Sequence, residues 1–372
     1  MSYIKVKNKT ILAVVGIALL SVGCNKNPVA VINTPPPEPL KQIEPTPAPL
    51  PEVEASGKPT QFVVLAFDGS YSLVMWKNTL DFAEQMKLEG KPANFTYFIS
   101  GVYFLNYRKA SRYLPPKKPP GTSQIGFANN NTEVENRVAY VNRAISEGHE
   151  IGSHLNGHFN GSGWTVADWQ QEFSEFDKLV FSIDKNNDVD AKDADRYELN
   201  LLRTDLVGFR APELGKNNAM YTALVDNHYA YDTSGVGKPE EWPKKLPSGV
   251  WEFPLAQIKY ADTNSKILSM DYNFYFKQSQ AKDVTKKGEQ LWQDYFDKTY
   301  TSYINYFNNN YQGTRAPVFI GSHFSEWNDG VYWEVMKKFA IEVCGQSEVR
   351  CVTHKELMGH MNSRPTLGNS SK

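Results

Sequence analysis

Two histidines four positions apart, His154 and His158, combine a residue type and a spacing suited to metal chemistry. Imidazoles at this spacing can face one metal ion, and since Leu155-Asn156-Gly157 forms a poor helix, a turn can place them. An aspartate from another strand end would complete a His₂Asp site with a position open for water. Such a site lowers the pKa of the water and polarises a carbonyl group, so the pair indicates metal-assisted hydrolysis.

Further reactive side chains follow or lie within apolar runs typical of strands, and these are Asp68, Arg210, Asp232 and His323. Because the carboxyl ends of parallel strands meet at one edge of a sheet, we expect these groups to converge on the histidine pair. His323 is then a candidate proton donor for a leaving group. The competing interpretations are a core histidine for His323 and a structural salt bridge for Arg210.

Strand-like and helix-like segments alternate from Gln61 onward and must position these groups. We expect strands at 62–67, 95–99, 149–153, 205–209, 229–233, 250–254, 266–271, 316–321 and 350–353. Helices are expected at 76–89, 132–147, 165–180, 284–310 and 330–342, the third opened by a capping box at Thr165-Val166-Ala167-Asp168. This alternation predicts an α/β fold with a parallel barrel or a doubly wound sheet.

The order of these motifs resembles the carbohydrate esterase family 4 polysaccharide deacetylases, the NodB-homology domain, over roughly residues 61–358. The match with the family's Gly-His-Glu-Ile-Gly and His-x-x-x-His pattern at 148–158 is the most specific. Similar stretches stand at 66–70 (Thr-Phe-Asp-Asp-Gly in the family), 94–101, 210–212 (Arg-x-Pro), 321–323 (Leu-x-His) and 351–357.

The resemblance implies a distorted (β/α) barrel that removes N- or O-linked acetyl groups from a polysaccharide with a divalent metal, usually zinc. It implies His154 and His158 as metal ligands, with Asp68 as the base or a further ligand. Arg210 would orient the catalytic carboxylate, and His323 would protonate the departing group.

Three further roles come from the same resemblance. The backbone N–H of Glu213 would help to stabilise the oxyanion. Asp232 and Trp251 loosely match the family's Asp/Trp motif, in which the aspartate tunes the acid histidine and the tryptophan lines the acetyl pocket. Asp271 is a rival for the aspartate role.

One position departs from the family, because Gly69 stands where the second aspartate is usual. Asp68 could serve as the base while the metal keeps only the histidines and water, or Asp68 could bind the metal and leave no dedicated base. A ligand from elsewhere, such as Asp271, is a third possibility. The alternative function is a catalytically impaired, glycan-binding protein of the same fold.

The N-terminus carries an export pattern. Residues 1–23 have lysines, then an apolar run, and end before Cys24, which resembles a lipoprotein acylation site. Ten of the 22 prolines lie between residues 28 and 59, so 24–60 is predicted to be an extended tether. We expect the domain over 61–362 and a flexible tail at 363–372. These features predict a lipid-anchored protein of the cell envelope.

Composition excludes some partners. The chain has 40 basic and 41 acidic side chains, and this balance argues against a nucleic-acid-binding surface.

In an exported protein, Cys344 and Cys351 predict a disulfide. The basic insertion at 106–131 is either a substrate-contacting flap or a solvated loop. The run at 184–190 echoes a calcium loop, but Val189 replaces its glycine, so a polar surface loop is the better interpretation.

Overall fold

The computed structural model describes residues 57–363. The predicted signal segment, Cys24, most of the predicted tether and the tail after Ser363 lie outside the described residues. Within 57–363 no helix is long and apolar enough to cross a membrane.

The described range alternates strands and helices, with short 3-10 turns between them. In chain order the strands are β1 Gln61–Gly69, β2 Phe95–Ile99, β3 Glu150–Ser153, β4 Gly208–Phe209, β5 Tyr231–Asp232, β6 Val236–Gly237, β7 Lys244–Lys245, β8 Trp251–Glu252, β9 Leu255–Lys259, β10 Lys266–Leu268, β11 Val318–His323 and β12 Val349–Cys351. The helices are α1 Leu73–Leu88, α2 Asn131–Ser146, α3 Val166–Phe181, α4 Ile183–Asn186, α5 Asn218–Asp226, α6 Asp271–Ser279, α7 Gln290–Gln312, α8 Trp327–Val343 and α9 His354–Ser363.

The main sheet is parallel except at one edge. Its strands follow the order β11-β1-β2-β3-β4-β5-β8-β7, with β12 pairing the first residues of β1 and β7 running antiparallel to β8. A smaller sheet, β10-β9-β6, reaches β11 through the Gly321 N–H, which donates to the Ser269 carbonyl at 2.9 Å. The predicted α/β class is confirmed as a curled, distorted (β/α) barrel.

Apolar side chains cover both faces of the barrel sheet, the face toward the barrel interior and the face toward the helices. The inner group comes from alternate positions of β1, such as Phe62, Val64 and Ala66, together with Phe253 and Phe319. Other buried residues of β1 face the helices, which explains why its run is apolar on both faces. Leu357 and Met361 of α9 join the inner group, so α9 closes the amino end of the strands.

The expected capping box of α3 is present, since Thr165 and Asp168 bond each other's backbone N–H groups. The shortest strands were predicted too long, and β4, β5 and β8 have two residues each. Residues 266–271 were predicted as one strand, but β10 ends at Leu268 and α6 begins at Asp271. The helix predicted at 284–310 starts only at Gln290, after Gly288 takes a φ of +95°.

The predicted disulfide is confirmed, because Cys344 and Cys351 are bonded between α8 and β12.

The basic insertion packs against the run at 184–190. Lys109 and Arg112 both pair with the Asp188 carboxylate, while the Asn187 side chain bonds the backbone of the insertion's first turn. Because the Asp188 carboxylate pairs with Lys109 and Arg112 of the insertion, this run holds the insertion in place.

Candidate active site

The predicted reactive residues meet at the carboxyl edge of the main sheet. Strand register aligns Gly69 with Ile99, Ile99 with Ser153, Ser153 with Phe209 and Phe209 with Asp232. On the other side of β1, Asp68 pairs with His323. This pairing brings the strand ends together, as the sequence predicted.

Asp68 and Arg210 form a buried ion pair at this edge. Arg210 Nη1 donates to Asp68 Oδ1 at 2.7 Å, and Arg210 Nε donates to Thr233 Oγ1 at 2.6 Å. The guanidinium also lies 4.5 Å from the centre of the Phe98 ring. Burial by itself raises the pKa of Asp68, but Arg210 and the nearby imidazoles more than offset it, so the pKa is lowered and the carboxylate stays ionised.

His154 is held in one tautomer. Its Nδ1 lies 2.9 Å from the Arg210 carbonyl oxygen, and since a carbonyl only accepts, Nδ1 carries the proton. Burial lowers the pKa of His154 to about 3, so the ring is neutral and Nε2 has a free lone pair. The His158 ring centre is 5.3 Å from that of His154, on a residue with a φ of +62°.

The donor set suits a divalent ion only in part. Two imidazoles at this separation, one with its Nε2 fixed as an acceptor, fit a zinc ion's preference for nitrogen ligands. Within residues 57–363, however, no three His, Cys, Asp or Glu side chains are arranged to hold a metal. Position 69 has no side chain to offer, and Asp68 is engaged by Arg210.

His323 is paired with Asp271. His323 Nδ1 lies 2.7 Å from Asp271 Oδ1, and the His323 backbone N–H donates to Asp271 Oδ2 at 2.8 Å. Burial alone lowers the pKa of His323, but the Asp271 carboxylate outweighs it, so the pKa lies above its usual value. The side chain is 27% exposed, so Nε2 can face a ligand.

The partner of His323 is therefore Asp271, the rival of Asp232 in the sequence. Asp232 is buried elsewhere on the edge, where its Oδ1 accepts bonds from the N–H (2.9 Å) and the hydroxyl (2.5 Å) of Ser234. Ser234 Oγ in turn accepts the Ala211 N–H at 2.7 Å. Asp232 thus braces the turn that carries Arg210, because its position at the end of β5 places it one strand away from that turn.

Trp251 belongs to the barrel interior. Its ring is part of the inner apolar group, and its Nε1–H donates to Asn362 of α9 at 3.0 Å. A tryptophan tied to the helix that closes the amino end does not line a pocket at the carboxyl edge, so the sequence-based role for Trp251 is not supported.

Glu213 lies in the turn after Pro212, with a φ of 54°. Its carboxylate accepts a bond from Asn160 Nδ2 at 3.1 Å, two residues beyond His158. The turns that carry His158 and Arg210 are therefore linked through the Glu213 side chain.

The sequence did not single out several residues that shape the site. Thr233 and Ser234 hold the arginine turn, and Tyr272 and Trp327 surround His323, with ring centres at 6.1 and 5.3 Å. A short polar run just after a strand end was the available signal for Thr233 and Ser234. The insertion also reaches the histidine turn, where the Tyr113 hydroxyl and the Gln124 N–H contact the Gly157 backbone.

No protein-family model matches the sequence, and no curated protein matches it. Among solved structures, the chain is similar to a putative polysaccharide deacetylase from Mycobacterium smegmatis, with a TM-score of 0.48 and 14% identity over 87% of this chain and 96% of that one. It is also similar to Puue allantoinase (TM-score 0.46, 10% identity, 84% and 97% covered). A third is the Xyl-CE4 domain of a multidomain xylanase from the hindgut metagenome of Trinervitermes trinervoides (TM-score 0.40, 16% identity, 82% and 92% covered).

The fold and the site together define a class, an α/β barrel-like protein with a histidine–carboxylate centre at the carboxyl edge of its parallel strands. The centre holds an ionised carboxylate, two imidazoles and a separate histidine–aspartate pair.

Proposed function

We propose that the protein is a hydrolase that removes N- or O-linked acetyl groups from a polysaccharide. The observation that carries this proposal is the pairing of Asp68 with Arg210 and of His323 with Asp271 on two adjacent strand ends. An ionised carboxylate and a histidine inclined to hold a proton are the base and the acid that acyl transfer to water requires.

Each group has a defined task in this mechanism. Asp68, kept ionised by Arg210, accepts a proton from the attacking water. His323, whose proton is favoured by Asp271, gives a proton to the departing amine or alcohol. The backbone N–H of Glu213 faces the oxyanion. His154 and His158 are the residues that would hold a zinc ion, which when bound polarises the acetyl carbonyl and makes water more acidic.

Acetate release by the purified full-length chain tests this proposal. The substrates are acetylated xylan, peptidoglycan and a chitin tetramer, with and without added zinc. We expect release from at least one of them, loss of that release in His154→Ala/His158→Ala, and about one zinc per chain in the wild type only. Glycan binding without acetate release or metal would instead support the glycan-binding alternative, which the absent carboxylate at Gly69 favours.

The site of action is proposed to be the cell envelope. This rests on the export pattern of residues 1–23 and on Cys24. Mass spectrometry of the membrane fraction should find diacylglycerol on Cys24, and Cys24→Ser should release the protein from that fraction. A wild-type protein that is already free of membranes would contradict the anchor.

A further inference from the structure

Three aromatic rings form a surface next to His323, and we call Tyr272, Tyr275 and Trp327 the aromatic shelf. Trp327 stacks on Tyr275 with ring centres 4.8 Å apart and planes 6° from parallel. Tyr272 and Trp327 are in a T-shaped arrangement with ring centres 5.6 Å apart, and both rings adjoin the His323 imidazole. The shelf therefore adjoins the proposed proton donor.

The chain holds Trp327 in place at a cost in backbone strain. The three residues after it, Asn328, Asp329 and Gly330, all have positive φ, which costs about 1–3 kcal/mol for each non-glycine residue. Asn328 compensates through three bonds, in which its N–H donates to Asp283 Oδ1 (2.7 Å), its Oδ1 accepts the Val284 N–H (2.9 Å) and its Nδ2 donates to Ser279 Oγ (3.1 Å). A strained turn fixed in this way is typical of functional sites.

Two of the three polar groups of the shelf are unused in the described part of the chain, since only the Tyr275 hydroxyl is hydrogen-bonded, to Asp283. Within residues 57–363, neither the Trp327 Nε1–H nor the Tyr272 hydroxyl makes a hydrogen bond, and both side chains are at least partly exposed. Tyr272 is 43% exposed. Tyr275 stacks on the Trp327 ring, while the Trp327 and Tyr272 side chains both keep part of their surface exposed to a ligand. Flat apolar faces edged by free donors match a sugar ring, which has C–H faces and hydroxyl edges.

We propose that Trp327 and Tyr272 bind a sugar ring of the glycan that neighbours the sugar carrying the acetyl group. This rests on the proposed function, because the distance from the shelf to His323 places the second ring beside the reacting one. The protein then prefers oligomers to a monosaccharide.

The shelf is tested by steady-state kinetics of the full-length chain on a chitin tetramer and on monomeric N-acetylglucosamine. If xylan is the substrate found, acetylated xylan oligomers and monomers replace them. We expect Trp327→Ala and Tyr272→Ala to raise KM for the tetramer at least about tenfold with kcat nearly kept, since binding remote from the reacting bond is lost. Monomer kinetics should not change, and Trp327→Phe should restore most of the affinity. Phe276→Ala is the matched control, since Phe276 is 58% exposed on α6, the helix that carries Tyr272.

Three results would overturn the shelf. One is an unchanged KM in Trp327→Ala, and another is an equal loss in Phe276→Ala. The third is a drop in kcat for tetramer and monomer alike, which means that Trp327 only supports His323. If the wild type releases no acetate, the proposed function fails, and tryptophan fluorescence then decides the shelf alone. Quenching by the tetramer that is lost in Trp327→Ala supports it, and no quenching rejects it.

Discussion

The two ends of the barrel each bury a carboxylate beside an imidazole, but they use the pair in opposite ways. At the carboxyl end, Asp271 contacts His323, whose side chain reaches solvent. At the amino end, Glu150 and His354 are linked through Thr96 Oγ1, which donates to Glu150 Oε2 at 3.0 Å and lies 3.1 Å from His354 Nδ1. The α9 helix covers this second group, and aromatic rings surround it.

Burial reverses the charge state of the two pairs. At the open end, the carboxylate raises the pKa of His323, so the pair favours charge. At the closed end, burial raises the pKa of Glu150 to about 7 and lowers that of His354 well below its ordinary value, so both groups favour neutrality. A carboxyl group and an imidazole therefore serve chemistry at one end and structure at the other, and access to solvent decides which.

Replacing each histidine by alanine sharpens this contrast most. We expect His323→Ala to lower kcat for acetate release by about 10²–10⁴-fold, the usual contribution of a positioned acid, with little change in stability. His354→Ala should leave the activity of the folded protein intact but lower its free energy of unfolding by about 2 kcal/mol or more, since it empties a packed site. Urea unfolding and acetate release check the two effects, and equal activity losses would contradict the contrast.

The next largest effect concerns the ion pair at the open end. Arg210→Met leaves Asp68 buried without its cation, and breaking a buried pair in this way costs about 3–5 kcal/mol. Urea denaturation of the variant measures the loss. Lys77→Ala is the control, because its pair with Asp81 is exposed and should contribute less than about 1 kcal/mol. Similar losses in both variants would mean that burial of the Asp68 pair has no special energetic role.

The closed end predicts a pH dependence of stability. The pKa of Glu150 rises from 4.5 in the unfolded chain to about 7 in the fold, so the folded state binds more protons between these values. Stability from Glu150 is complete below pH 4.5 and falls by about 3 kcal/mol as pH rises through about 7. Glu150→Gln mimics the protonated form, because the Tyr231 hydroxyl can accept from the amide, and should flatten this fall.

Urea unfolding at several pH values measures the effect. Burial also raises the pKa of Glu172 to about 7, so its effect has the same sign, and Glu172→Gln should remove only its own share. A slope that is unchanged in Glu150→Gln would mean that Glu150 is already ionised in the fold at low pH.

Local patterns predicted the long elements and the strand-end residues. β1 and β2 were found because their runs are largely apolar, and His154, His158, Arg210 and His323 were found because each stands at or just after a strand end. The ends of a two-residue strand cannot be predicted from its sequence pattern, because pairing with neighbouring strands rather than residue propensity decides where β4 and β5 end.

Pairings between distant parts of the chain could not be read in the same way. Asp271 meets His323 across 52 residues, and the contact depends on Gly321 bonding Ser269 between the two sheets. Asp232 and Asp271 both lie within predicted strands, so only the sheet order separates them. Trp251 looked like a pocket residue because its distance along the chain says nothing about which end of the barrel its indole approaches.

The smallest expected effect comes from returning a carboxylate to the open end. Gly69 has a φ of +90°, and a Cβ built there meets nothing within 4 Å, so Gly69→Asp has room but strains the backbone by about 1–3 kcal/mol. Gly69→Asn carries the same strain without the charge and is the matched control. If His154 and His158 hold a metal, the added carboxylate should tighten zinc binding in Gly69→Asp only, as calorimetric titration with zinc would measure. Equal affinity in all three proteins would mean that position 69 does not face the ion, and the centre would then work with two histidines and Asp68 alone.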